Sequence, residues 1–268
     1  MKSITETFAN CRQYGRTALL PFITAGYPDE RTFLKLLYEF QLSGADMVEI
    51  GIPFSDPMAD GKTIQYSSQQ VLEQGTNIDS IFHCLSLLNG NFSLPLIMMS
   101  YFNPVYCYGV DKFISRAASI EIQGLIVPDI IPEEAGELES KCRQNKIDLI
   151  YLLAPTSSAK RTKLILGRSR GFVYLVTISG VTGARSKLPT GLLQWIKNIK
   201  RKSTIPVCAG FGISNMNQAA AVSKAADGVI VGSAIIDVIN KSVNSAQAVY
   251  NTGKFIRLLR KGMDNVKS

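Results

Sequence analysis

The stretch Phe172-Val173-Tyr174-Leu175-Val176-Thr177-Ile178 is an almost continuous apolar run that is rich in β-branched and aromatic residues. A run of this kind is typical of a β-strand buried on both faces, because a half-exposed strand would alternate apolar and polar residues. Similar runs occupy residues 18–24, 46–51, 95–101, 124–129, 148–154, 205–210 and 227–232. Together these runs predict eight strands of a parallel sheet that is covered by helices.

Amphipathic segments separate the apolar runs. Leu34, Leu37 and residues 40–42 share one face of a predicted helix that ends before Gly44. A second helix is predicted to begin at Pro132-Glu133-Glu134, where proline and acidic residues suit a first turn.

A third helix is predicted to begin with Ser214 as its N-cap. The interval between the second and third strands is long, so an extra helix is expected around residues 63–72. The strand–helix alternation favours an α/β fold, a single (β/α)₈ TIM barrel spanning residues 1–268 with an extra helix after strand 2.

The composition excludes several classes of protein. The chain has 268 residues, of which 46% are hydrophobic and 19% charged, so it can bury a core and is not a disordered protein. It has no apolar run long enough to span a membrane, and residues 1–6 do not resemble a secretory signal. The five cysteines are scattered without a C-x-x-C pair, which indicates a reducing compartment. We therefore expect a cytoplasmic protein, or one in the stroma of an organelle that makes its own proteins.

The charged residues and the single histidine exclude further functions. His83 lies in a predicted helix away from every motif, so neither a multi-histidine metal site nor a Ser-His-Asp triad is expected, and no metal is predicted. The formal net charge is +8, and its densest basic run, residues 197–202, comes at the end of a predicted helix. Cations are favoured at a helix C-terminus, so this run does not indicate nucleic-acid binding.

Acidic residues follow the second predicted strand, where a barrel enzyme places its chemistry. Glu49 lies inside the apolar run, and burial there would raise its pKa towards the range useful for proton transfer. The alternative is that Glu49 is a structural carboxylate that forms an ion pair with a nearby cation. Residues 52–61 form a loop that carries Asp56 and Asp60. This loop could close over a substrate and bring a carboxylate next to Glu49. The alternative is that the loop contains aspartates only because aspartate favours turns.

Glycine clusters follow the last three strands. Gly210-Phe211-Gly212-Ile213-Ser214 and Gly232-Ser233-Ala234 come after strands seven and eight, where barrels commonly bind phosphate through backbone N–H groups. Gly180-Val181-Thr182-Gly183 adds a donor-rich loop after strand six. The alternative is that these glycines only turn the chain. Gly61-Lys62-Thr63 resembles the end of a P-loop, but Asp56 stands where that motif needs a glycine.

The residue types narrow the possible chemistry. None of the predicted strands contains a lysine, which disfavours a Schiff-base aldolase, and a metal-dependent aldolase would need histidines that the chain lacks. The chemistry that these exclusions leave is acid–base catalysis by carboxylates on a phosphorylated substrate.

The run Val48-Glu49-Ile50-Gly51-Ile52-Pro53-Phe54-Ser55-Asp56-Pro57-Met58-Ala59-Asp60-Gly61 closely resembles the signature of the tryptophan synthase α subunit family. Further segments resemble that family in the same order, so the resemblance extends from about residue 8 to residue 239. These segments are Pro21-Phe22-Ile23-Thr24-Ala25-Gly26-Tyr27-Pro28, Tyr101-Phe102-Asn103-Pro104, Pro128-Asp129, Gly180-Val181-Thr182-Gly183 and Gly210-Phe211-Gly212-Ile213-Ser214.

The resemblance implies a lyase that acts in the last step of tryptophan biosynthesis. Its reaction is the retro-aldol cleavage of indole-3-glycerol phosphate to indole and glyceraldehyde 3-phosphate. The same resemblance implies that Glu49 shuttles a proton and that Asp60 accepts a hydrogen bond from the indole N–H. The implied substrate contacts are Phe22, Ile64 and Tyr174 around the indole, Gly183, Gly212, Gly232 and Ser233 at the phosphate, and Thr182 beside Asp60.

The resemblance also implies a partner. Asp56 and Asn103 would face a tryptophan synthase β subunit in an α₂β₂ heterotetramer. Pyridoxal phosphate is expected in that partner, and this chain is expected to hold no cofactor. The alternatives are a weakly active subunit kept for allostery and channelling, a stand-alone indole-releasing lyase, and a different phosphate-binding barrel isomerase.

Overall fold

The centre of the molecule is a parallel sheet that closes on itself. The computed structural model describes residues 2–88, 90–177 and 188–265, and within them the sheet has nine strand segments. These are β1 (Ala18–Thr24), β2 (Val48–Gly51), β3 (Leu96–Met99), β4 (Ile122–Ile126), β5 (Asp148–Ile150), β6 (Leu152–Leu153), β7 (Val173–Leu175), β8 (Val207–Ala209) and β9 (Gly228–Val231). Their order in the sheet is β5-β4-β3-β2-β1-β9-β8-β7-β6.

The barrel closes through the fifth predicted strand. The segments β5 and β6 stand at opposite ends of the sheet order, yet only Tyr151 separates them in the chain. The Tyr151 N–H donates to Ser169 Oγ at 3.1 Å, while its carbonyl accepts from the Tyr174 N–H at 3.1 Å. The two segments are therefore one interrupted strand that pairs with β4 on one side and with β7 on the other. This confirms the predicted eight-stranded (β/α)₈ barrel.

Helices surround the barrel, and the extra helix expected after strand 2 is present as α3. Within the described residues the helices are α1 (Ile4–Gln13), α2 (Glu30–Leu42), α3 (Lys62–Glu73), α4 (Ile78–Ser86), α5 (Phe102–Tyr108), α6 (Val110–Ser119), α7 (Gly136–Gln144), α8 (Ala159–Arg168), α9 (Leu192–Lys202), α10 (Met216–Ser223), α11 (Ser233–Asn240) and α12 (Ser245–Asp264). The basic residues 197–202 do lie at the C-terminal end of α9, as expected. In the part of the chain that the structure describes, we find no helix with the length and apolar character to cross a membrane.

Two predicted helix starts are too early, one by four residues and the other by one. Pro132 lies in a turn, where the Glu134 N–H donates to the Ile131 carbonyl at 3.0 Å, and α7 begins only at Gly136. The N-cap of α10 is Asn215, whose side chain accepts from the Gln218 N–H, and not Ser214.

Helix α1 closes the N-terminal end of the barrel, a role that the apolar pattern did not reveal. Phe8 on this helix packs edge-to-face against Phe172 inside the barrel, with ring centroids 6.0 Å apart. A Cβ on Gly124 would lie 2.9 Å from the Ile4 methyl group, so a larger residue in β4 would displace the helix. The opposite end, where the strands finish, is therefore the open one.

Candidate active site

Glu49 is a buried carboxyl group at the open end of the barrel. Its neighbours Val48 and Ile50 pack outwards against the helices, so the alternation along β2 directs Glu49 into the barrel, and the side chain is 1% exposed. Among the described residues, neither carboxyl oxygen has a hydrogen-bond partner or an ion pair with a cation. Burial, and secondarily the negative charge of Asp60, raise the pKa of Glu49 to about 8. This environment is not that of a structural ion pair, and the raised pKa suits proton transfer.

Tyr174 is a polar side chain beside Glu49. Its hydroxyl faces the carboxyl group closely enough to lower the pKa of Glu49 slightly, without the geometry of a standard hydrogen bond. Burial, followed by the charge of Glu49, raises the pKa of Tyr174, so its hydroxyl stays protonated. A Cβ on Gly210 would lie 2.6 Å from the Tyr174 hydroxyl oxygen, so only a glycine leaves room for this side chain.

Asp60 approaches the same region from the loop after β2. Burial raises its pKa to about 6, and the Tyr101 hydroxyl partly opposes this shift. The Ala59 N–H donates to Tyr101 Oη at 2.8 Å, and the Phe54 ring packs 5.4 Å from the Tyr101 ring. Tyr101 therefore anchors the loop that carries Asp60. It was not among the predicted site residues, although its position directly after β3, in a segment with family resemblance, was a usable signal.

A narrow cavity of about 10 Å³ lies beside the Asp60 carboxyl group. Of the predicted residues, Phe22, Asp60 and Ile64 contribute to its lining. The complete lining is Phe22, Gly51, Ile52, Asp60, Ile64, Ser68, Met99, Ser100 and Tyr101. A Cβ on Gly51 would lie 2.5 Å from the Phe22 ring, so this glycine is needed for the ring to cover the cavity.

Three predicted phosphate residues, Gly212, Gly232 and Ser233, lie at the same end of the barrel, after β8 and β9. Gly212 adopts a positive φ of 58°, which favours glycine, and Gly232 is the N-cap of α11. Ser233 is the first residue of that helix and is buried, so unpaired helix N–H groups of the first turn are available to an anion. Thr182 and Gly183 lie outside the described residues.

The predicted partner residues are exposed beside the open end. Asp56 lies on the loop after β2, and Asn103 lies in the first turn of α5. The Phe102 N–H donates to the Asp129 carboxylate at 2.9 Å, which fixes where α5 begins. Met58 on the same loop is 81% exposed, an apolar side chain suited to a protein interface.

Comparisons with known proteins agree with this geometry. A family model described as tryptophan synthase alpha chain matches residues 8–264. Tryptophan synthase alpha chains from Geobacter sp. (strain M21) and Dehalococcoides mccartyi are each 41% identical, and the alignments cover 98% of this chain and 98% and 100% of those proteins. The chain belongs to the tryptophan synthase alpha chain family.

Solved structures of this family have the same fold. Tryptophan synthase subunit alpha from Legionella pneumophila superimposes with a TM-score of 0.90 at 33% identity, covering 99% of both chains. A chain of Mycobacterium tuberculosis tryptophan synthase gives a TM-score of 0.89 at 33% identity, covering 98% of this chain and 99% of that one. The family and the fold predicted from the sequence are thus confirmed, and the tryptophan synthase alpha family is a lyase family of tryptophan biosynthesis.

Proposed function

We propose that this chain cleaves indole-3-glycerol phosphate to indole and glyceraldehyde 3-phosphate by carboxylate acid–base catalysis. The observation that carries the proposal is the pair formed by Glu49 and Asp60. Glu49 is fully buried with a pKa raised to about 8, and Asp60 beside it has a pKa of about 6. At neutral pH the first group holds a proton and the second carries a negative charge, which is what the reaction needs.

The proposed reaction uses the Glu49 carboxyl group twice, first as an acid and then as a base. Glu49 donates its proton to the indole ring carbon that bears the side chain, and the ring nitrogen becomes cationic. The Asp60 carboxylate accepts a hydrogen bond from the ring N–H and stabilises this cation. The Glu49 carboxylate then removes the proton of the adjacent side-chain hydroxyl. The carbon–carbon bond breaks, its electron pair returns to the ring and neutralises the nitrogen, and the hydroxyl carbon becomes the aldehyde.

The remaining site residues would bind and orient the substrate. Phe22 and Ile64 at the cavity, with Tyr174 behind Glu49, supply apolar surface for the indole. Backbone N–H groups of Gly212, Gly232 and Ser233 would hold the phosphate at the start of α11, together with Gly183. By the family resemblance, Thr182 would contact Asp60.

We further propose that the chain acts with a β subunit in an α₂β₂ heterotetramer, docked over Asp56 and Asn103. That partner would carry pyridoxal phosphate and use the indole. This chain's own contribution is acid–base chemistry and phosphate binding, and no strand among the described residues contains a lysine for a Schiff base.

The test is a cleavage assay of Glu49→Gln with and without the β subunit, beside Glu137→Gln as a control. Glu137 is exposed on α7, so its substitution makes the same chemical change away from the site. We expect Glu49→Gln to lower kcat at least about 10³-fold while the fold and partner binding persist, and the control to retain full activity. Near-normal turnover of Glu49→Gln would refute its role. Wild-type inactivity in both assays would favour a purely allosteric subunit, and full activity with no complex formed would favour a stand-alone lyase.

A further inference from the structure

A second polar cavity lies at the opposite, N-terminal end of the barrel. Its volume is about 600 Å³, within the range of small-molecule sites. It lies where the end of α1, the α9–β8 connection and the α10–β9 connection meet. It is lined by Phe8, Cys11, Arg12, Gly15, Arg16, Thr17, Lys200, Ser203, Thr204, Ile205, Pro206, Ser223, Lys224, Ala226 and Asp227. We name it the basal cavity.

The basal cavity has a strong excess of positive charge. Arg12, Arg16, Lys200 and Lys224 line it, and Asp227 is the single acidic residue in that lining, which leaves a net charge of +3. The Asp227 carboxylate is already bound by Lys200 Nζ at 2.7 Å and by the Val207 N–H at 3.0 Å. It therefore neutralises Lys200 and leaves the other three cations to face the cavity.

Those three cations lack a close acidic partner among the described residues. The Arg16 guanidinium is 3.8 Å from Asp46 and 3.9 Å from Asp264, beyond hydrogen-bond distance. Both carboxylates are instead bound by Arg260, at 3.0 and 2.9 Å. For the Arg12 and Lys224 side chains, which are exposed, the described part of the chain offers no ion pair.

Helix dipoles explain why a cation lies at each of three helix ends, but they do not explain why these cations surround the same cavity. Arg12 lies in the last turn of α1, Lys200 lies in the last turn of α9 and Lys224 is the C-cap of α10, all positions that favour a cation. Each dipole would be stabilised equally well if the three helix ends, with their solvated cations, lay far apart. Here the three helix ends and Arg16, which belongs to no helix, surround one concave space with an apolar wall that includes Pro206.

We propose that the basal cavity binds a phosphorylated small molecule, separate from the substrate phosphate site at the other end of the barrel. Arg12, Arg16 and Lys224 would bind the phosphate groups, since guanidinium and ammonium groups lacking a close acidic partner are the usual ligands of phosphate oxygens. Ile205 and Pro206 would contact the apolar part of the ligand.

The experiment is a titration of the ¹⁵N-labelled full chain with inorganic pyrophosphate, followed by backbone amide shifts. The amides of Gly15, Thr204 and Lys224 report on the basal cavity, whereas those of Gly212 and Ser233 report on the substrate phosphate site. We expect saturable shifts at the first three amides. These shifts give the dissociation constant for pyrophosphate. We expect the Arg12→Gln/Lys224→Gln variant to raise this dissociation constant at least about tenfold.

The matched control is Lys197→Gln/Lys202→Gln, which removes the same charge from exposed positions of α9 outside the cavity. We expect it to change the dissociation constant less than about twofold. The proposal is overturned if the basal amides show no saturable shift, if only Gly212 and Ser233 respond, or if both variants lose affinity equally. Because Arg12 and Lys224 are exposed, both variants should retain the wild-type unfolding midpoint.

Discussion

At the scale of single residues, Glu49 and Asp60 differ in how completely each is removed from water. Glu49 is enclosed inside the barrel wall, while Asp60 lies on a loop and also has the Tyr101 hydroxyl beside it. The two environments separate the two pKa values to about 8 and about 6. In the proposed function, this difference makes Glu49 the proton donor and Asp60 the charge-stabilising group between those values.

The first prediction concerns pH. As the pH rises, kcat/KM for cleavage should increase while Asp60 loses its proton near pH 6, and then decrease while Glu49 loses its proton near pH 8. Asp60→Asn removes the negative charge that raises the pKa of Glu49, so the Glu49 carboxyl should titrate at a lower pH. A pH–rate profile and ¹³C NMR of the Glu49 carboxyl measure the two effects. A flat profile between about pH 5 and 9, or an unmoved Glu49 titration, would contradict the assignment.

The second prediction concerns stability. Burial raises the pKa of Glu49 from 4.5 to about 8, so the wild type loses folding stability as the pH rises through that interval. Glu49→Gln carries no such penalty. It should exceed the wild type in free energy of unfolding by about 2–5 kcal/mol near pH 9 and match it near pH 5. Urea denaturation at both pH values tests this, with Glu137→Gln as the control that should follow the wild type.

The third prediction concerns Tyr101. Tyr101→Phe keeps the ring contact with Phe54 but removes the oxygen that accepts from the Ala59 N–H. Because the Tyr101 hydroxyl lowers the pKa of Asp60, the rising limb of the pH profile should move to higher pH, and kcat/KM should fall about tenfold. Tyr106→Phe on α5, where the side chain is 67% exposed, is the control. An unchanged pH profile would mean that Tyr101 does not position Asp60.

At the scale of elements, the strands were the most predictable part of the chain. A strand buried on both faces must be apolar throughout, so all eight runs coincide with strands of the barrel. The interruption at Tyr151 was not predictable, because the N–H and carbonyl of that residue bond to Ser169 Oγ and to Tyr174, which are distant in sequence. Helix α1 was missed because its apolar face is short and packs inside the barrel and not on its surface.

Helix starts were less predictable than strands because neighbouring residues compete for the same role. Ser214 and Asn215 are both good N-caps, and the structure uses Asn215 while the Ser214 N–H donates to the Gln218 side chain. At the site, Glu49 was identifiable from its position inside the apolar run of β2, and Asp60 from its position on the loop after that strand. Tyr101 lies in a segment with family resemblance, but its role was missed because its contact with Ala59 joins two loops that only the closed barrel brings together.

The fourth prediction concerns the ends of strands. Gly210→Ala places a Cβ 2.5 Å from the Tyr174 ring, so the ring beside Glu49 must move. We expect kcat/KM to fall at least about tenfold and the free energy of unfolding to fall by about 1–3 kcal/mol. Gly167→Ala in α8 is the control, since a Cβ there meets nothing within 4 Å, and it should raise the free energy of unfolding by about 0.5–1 kcal/mol. Equal activity of the two variants would contradict the packing argument.

At the scale of the whole molecule, the barrel separates its closed end from the end that carries the candidate active site. Helix α1 and the interior cluster around Phe172 close the N-terminal end, while the two carboxyl groups and the start of α11 lie at the other. A parallel barrel allows this separation because every strand finishes at the same end, so loops can vary there without disturbing the packed interior. Substitutions at the two ends should therefore have different consequences.

The fifth prediction tests that separation. Phe8→Ala removes a ring that is 4% exposed and packs against Phe172, so it leaves a cavity at the closed end of the barrel. We expect the free energy of unfolding to fall by about 3–5 kcal/mol, while KM stays within about twofold of the wild type at a temperature where the variant is folded. Tyr14→Ala, which removes a side chain that is 72% exposed at the end of the same helix, should change stability by less than about 0.5 kcal/mol. Urea denaturation and steady-state kinetics measure the two quantities. A fall in kcat/KM as large as the one expected for Gly210→Ala would show that the two ends are coupled, because the altered packing beneath Phe172 would then have reached Tyr174 and Glu49.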